Sequence, residues 1–284
     1  MSTDIVFHTL AAMLYVGLAA YLWHPLQAGQ ALARRGKTAR IGLLIGILFQ
    51  GMALHASVLY NQQLHLSWVL ALSAAIWLGL LVFWLESLIV SIDGLQLLLL
   101  PFAALICILA AIFPASHLIA HSSQPALRSH LLLALAAYGL ITIAAMQSML
   151  MAAMDYYLHN PKESGQQAGP LRRAWGRMLD AQPSLMAQEQ MLFRLIWVAF
   201  ITLTLAVISG GLISLAMTGK ILPFDHKTIF TLLSWLTFAI LLTGRHIRGW
   251  RGRIALRYTL VGFAFVVLSY SGSQFVIEVI LQRS

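Results

Sequence analysis

Eight runs of apolar residues alternate with short polar breaks along this chain. They fall at about Ile5–Trp23, Ile41–Tyr60, Leu66–Ile89, Leu95–Phe113, Ser129–Tyr157, Leu192–Met217, Thr228–Thr243 and Tyr258–Leu281. Most reach the roughly 20 residues that an α-helix needs to cross the hydrocarbon core of a bilayer. They are too long and too uniformly apolar for the alternating strands of a membrane barrel. The pattern predicts an all-α, polytopic membrane protein with about eight transmembrane helices, in which each helix satisfies its own backbone. Asp4 is the only charge ahead of the first run, so that run is expected to be a retained helix rather than a cleaved signal peptide.

The breaks give the orientation. Arg34, Arg35, Lys37, Arg40, Lys162, Arg172, Arg173, Arg177, Arg194, Arg245, Arg248, Arg251, Arg253 and Arg257 fall at the first, fifth and seventh breaks. The opposite side has only Arg128, Lys220, Lys227 and Arg283. Lys and Arg accumulate on the cytoplasmic side, so both termini are expected outside. Residues 1–284 read as one membrane domain. Its long polar stretch, about 158–191, is a cytoplasmic loop rather than a second domain. Within it Leu171, Trp175, Met178 and Leu179 share a helical face, which suggests a short helix on the inner membrane surface; a solvated linker is the plainer alternative.

Composition agrees. The chain is 60% hydrophobic and only 10% charged, against about 25% charged in soluble domains. A net charge of +9 would point to nucleic acid in a soluble protein. Here it is loop charge, and the expected partner is membrane lipid, with no nucleic acid. A single cysteine, Cys107, excludes an internal disulfide and any C-x-x-C pair. No G-x-S-x-G, H-E-x-x-H or phosphate-loop pattern occurs, so no enzyme activity is expected. Glu86, Asp93, Asp155 and Glu278 sit near the ends of runs. The lack of acids at the midplane argues against an ion-coupled transporter.

The histidines are the remaining chemistry. His24, His159 and His246 map to the inner side. His8, His55, His65, His117, His121, His130 and His226 map at or near the outer side. Imidazole is the commonest nitrogen ligand for metals and haem iron, although interfacial histidines are also common. His130 and His226 each open an apolar run on the same side, where unpaired helix N–H groups favour anions. Lys227, Lys220 and Arg128 are the outward cations. Asp225 reads first as an N-cap and second as a group that could orient a nearby imidazole. His8 and His55 lie deeper in their runs.

Several stretches resemble the cytochrome c assembly family. They are M-L-F-R-L-I-W-V-A-F-I-T-L-T-L-A-V-I-S-G-G (Met191 to Gly211), F-D-H-K-T-I-F-T-L-L-S-W-L, G-R-H-I-R-G-W-R-G, and the last run with Y-S-G-S at Tyr270 to Ser273. The resemblance covers about 129–281, more loosely the whole chain, and is closest to the HemX/YpjD-like branch. It implies an outward haem site in which His130 matches the family's ligating histidine. The chain departs from the family's tryptophan-rich loop: Phe224 stands at the last tryptophan, His226 replaces proline and Thr228 replaces the acid. His226 is therefore a candidate second ligand by inference from this chain alone.

The resulting expectation is an inner-membrane haem-handling protein that holds haem b between His130 and His226, with Lys227 and Arg128 at the propionates. His55 and His8 would form a deeper pair. Cytochrome c maturation proteins or a haem-biosynthesis enzyme are the expected partners. The alternative is a haem-free membrane scaffold or regulator of haem biosynthesis, working through the inner arginines.

Overall fold

A computed structural model describes residues 3–27, 36–60, 63–88, 93–113, 117–118, 124–159, 176–180, 182–219, 221 and 225–275. Eight long helices account for most of these residues: α1 (Thr3–Gln27), α2 (Gly36–Val58), α3 (Trp68–Ser87), α4 (Asp93–Ile112), α5 (Pro125–His159), α6 (Leu185–Thr218), α7 (His226–Arg248) and α8 (Arg253–Phe275). Among the described residues, seven helices are long and apolar enough to cross a membrane. The eighth, α8, has Arg253 and Arg257 in its first turns and is not among them.

The helices stop where local chemistry stops them. Ser67 caps α3 by accepting the Leu70 N–H, and Ser184 caps α6 by accepting that of Ala187. Gly219 ends α6 and Gly249 ends α7, both in the left-handed conformation that a side chain disfavours. Expected and observed helices agree in place but differ in length. α5 begins at Pro125 and α6 at Leu185, so each extends well past its apolar run. Arg194, counted with the charges of the fifth break, lies on α6.

Three short strands were not foreseen. β1 (Leu59–Tyr60), β2 (Gln63–Leu66) and β3 (His117–Leu118) form one antiparallel sheet in that order. His65 pairs with Leu118, and Leu66 with His117. The sheet ties the connection after α2 to the one after α4.

α1 packs against α2 and α4, α3 against α2, α4 and α5, and α5 against α3, α6 and α8. α7 packs on α8 and α6. α3 and α5 cross so closely at Gly79 and Gly139 that a methyl on Gly139 would run into the Ala75 carbonyl. Small residues permit such backbone approach where lipid supplies no hydrophobic drive. Within the long polar stretch, residues 176–180 are helical. Its Met178 and Leu179 are buried in the bundle core, facing protein rather than lipid.

Polar contacts divide between the two ends. At one end Glu189 accepts from Arg245 (3.0 Å) and Arg251 (2.8 Å), Arg253 pairs with Asp155 (3.1 Å), and Arg194 with Glu86 (2.8 Å). At the other end Ser57 reaches the Asp4 carboxylate at 3.4 Å, and Ser269 donates to the Lys227 carbonyl at 2.9 Å. The basic end is the one that the charge pattern placed inside.

Candidate functional site

The site begins with the packing of α5 on α6. It brings His130, one and a half turns into α5, against the outer end of α6. His130 Nδ1 lies 3.0 Å from the Ser209 hydroxyl. Ser209 itself donates to the Ala206 carbonyl at 3.1 Å. Gly210 lies beside the ring: a Cβ there would meet His130 Cε1 at 2.9 Å and Nε2 at 3.5 Å. The imidazole thus occupies space that any other residue at 210 would fill. It is half-buried.

α7 delivers the cation. Trp235 donates to Thr204 on α6 at 2.9 Å, and Ser234 donates to the Gly262 carbonyl on α8 at 2.9 Å. Thr231 meets Ser269 at 2.8 Å. These bonds hold α7 between its neighbours and fix where its first turn lies. Lys227 on that turn is exposed, yet close enough for its charge to act on His130. His226, the first residue of α7, is exposed beside it.

Asp225 is the N-cap of α7. Its Oδ1 accepts the Thr228 N–H at 2.9 Å. Partial burial pushes its carboxyl up. Hydrogen bonds from the Thr228 hydroxyl and backbone, with the Lys227 charge, outweigh that and hold it below the usual carboxylate value. Its bonds therefore go to Thr228, as the capping reading expects. Arg128 lies half-buried one residue pair before His130 on α5.

His8 and His55 are at the same end, on α1 and α2, which the Asp4–Ser57 bond joins. Their surroundings differ. His8 is only 1% exposed, and His55 is exposed. His8 Nδ1 lies 3.1 Å from the Asp4 carbonyl, which can only accept, so this nitrogen holds the hydrogen. Its Nε2 is buried with no hydrogen-bond partner. Lys220, Phe224 and His121 lie outside the described residues.

Among the described residues no three or more His, Cys, Asp or Glu side chains gather to hold a bare metal ion. Iron within a porphyrin needs only one or two axial ligands from the chain. An imidazole at 130, seated against Gly210 at the end of the bundle, is a residue of that kind. Sequence reasoning missed Ser209 and Gly210. Their only signal was a polar residue followed by two glycines inside an apolar run.

A family model described as Cytochrome C assembly protein matches residues 8–281. The inner membrane protein YpjD of Escherichia coli is 27% identical over 189 residues, 64% of this chain and 65% of YpjD. A "28.8 kDa protein in nifR3-like 5'region" of Azospirillum brasilense is 27% identical over 289 residues, 99% of this chain and 100% of the relative. The cytochrome c biogenesis protein CcsA of Cyanophora paradoxa is 33% identical over 84 residues, 30% of this chain and 26% of that protein. The chain thus spans just under two thirds of the length of YpjD. No solved structure matches.

Proposed function

The chain belongs to the cytochrome c assembly protein family, and from that premise we propose that it handles haem at the outer end of its bundle. It is a multi-pass inner-membrane protein. The observation that supports the reading best is His130: half-buried, at a helix end, beside a cation, with room made for its ring by Gly210. In this reading His130 ligates the iron of haem b, and His226 supplies the second axial position. Lys227 and Arg128 pair with the propionates, aided by the positive end of α7. Asp225 keeps that end in place by capping it. His8, whose Nε2 is buried and unpartnered, offers a deeper ligand with His55.

Bound haem supplies iron redox chemistry and a visible spectrum. The residues of this chain bind and orient it, shield it from lipid, and neutralise its carboxylates. The proposed role is haem handling in cytochrome maturation, with maturation proteins as partners and no covalent step on this chain.

The competing proposal is a haem-free scaffold or regulator of haem biosynthesis that works through the inner arginines. Arg245 and Arg251 are paired with Glu189, and Arg253 with Asp155. That pairing gives these arginines a task inside the bundle and weighs against the scaffold. Replacing His130 and His226 by alanine and measuring haem per protein tests the site. Loss of haem in either variant supports it; unchanged haem content in the double variant sinks it.

A further inference from the structure

The hydrogen bonds around His130 fix more than its position. The Ser209 hydroxyl has one hydrogen, and it points to the Ala206 carbonyl 3.1 Å away. With that hydrogen committed, Ser209 Oγ can only accept from the ring nitrogen 3.0 Å from it. Ser209 therefore demands a hydrogen on Nδ1. In a neutral imidazole the lone pair then sits on Nε2.

Gly210 completes the arrangement. It lies against the ring, where a Cβ would meet Cε1 at 2.9 Å and Nε2 at 3.5 Å, so the ring keeps this place only because residue 210 has no side chain. One helix turn thus supplies an acceptor for Nδ1 and the room that the ring occupies.

We propose that Ser209 is a positioning residue: it locks His130 in the Nδ1–H tautomer and so presents Nε2 as the ligating atom. The proposal rests on the haem reading for its purpose but not for its geometry. Residues that hold the far nitrogen of a ligating histidine set both its tautomer and its basicity. Their loss typically weakens binding about 10- to 100-fold.

The test uses full-length protein in mild detergent with Ser209→Ala and Ser209→Thr, the latter keeping the hydroxyl. Nitrogen-15 spectra of histidine-labelled, haem-free protein report which ring nitrogen is protonated, and His130→Ala identifies the signal by its disappearance. The expected wild-type signal is Nδ1–H. Ser209→Ala should shift it toward a mixture with Nε2–H, and Ser209→Thr should restore it. Titration with haem should show affinity reduced about tenfold or more in Ser209→Ala and restored in Ser209→Thr. An unchanged tautomer in Ser209→Ala overturns the proposal. So does a shifted tautomer with unchanged haem affinity, provided that His130→Ala has lost haem. If His130→Ala binds haem as wild type does, the haem reading fails, while the tautomer alone still decides what Ser209 does.

Discussion

At the scale of single residues, this structure turns on small side chains beside large ones. Gly210 leaves the space that the His130 ring needs, and Gly210→Ala would place a methyl 2.9 Å from Cε1. The ring has to move, so haem affinity is expected to fall roughly tenfold or more, measured by titrating purified protein. Asp225 is a second case. Its carboxyl is held below its ordinary value of 3.8, so its stabilising effect is complete above that value and is lost as pH falls through the lowered folded one. Asp225→Ala should lower stability by roughly 0.5–1 kcal/mol at neutral pH, the low part of the range for lost N-caps because this one is exposed. The gap in melting temperature between variant and wild type should close in acid below pH 3.8. His130, His226, Lys227 and Asp225 were legible as candidates because each stands out as polar at the start of an apolar run. Ser209 was not, since its partner is 79 positions away in the chain. No local pattern reports such a contact before α5 and α6 are packed together.

At the scale of elements, apolar length was a reliable guide to where helices lie, and it understated how far they run. Polar turns continue α5 and α6 beyond the apolar core, and the caps that end them are single residues such as Ser184 and Gly219. The strands escaped notice because two to four residues leave no periodic signal. The turn between α7 and α8 is held by Glu189, whose side chain is 11% exposed and accepts from Arg245, Arg251 and, at 3.4 Å, the Gly252 N–H. Arg245 also lies 3.5 Å over the Phe193 ring. Removing one partner of a buried ion pair costs about 3–5 kcal/mol. Both arginines are partly solvated here, so Glu189→Gln should cost roughly 1–3 kcal/mol. Thermal unfolding in detergent should show that drop, together with faster proteolysis at Arg248. Gly139→Ala is expected to destabilise the α3–α5 crossing by at least about 1–3 kcal/mol, since the added methyl meets backbone that cannot turn away.

At the scale of the molecule, the two ends of the bundle have different chemistry. Ion pairs gather at the basic end, and His8, His55, His130, His226 and Lys227 at the other. The sequence shows that asymmetry as a charge pattern; the fold shows it as contacts. Orientation follows from it and can be read by cysteine labelling, because the only native cysteine, Cys107, is buried. A membrane-impermeant maleimide should modify Gln124→Cys in intact cells. It should reach Arg248→Cys only after the membrane is opened. The opposite order would invert the topology and move His130 to the cytoplasmic side. The experiment to make first is the visible spectrum, oxidised and reduced, of the protein purified from haem-replete cells, beside His130→Ala. A stoichiometric haem spectrum that disappears with His130 is the predicted result. A colourless protein that fails to take up added haem would contradict the haem site and leave the scaffold reading standing.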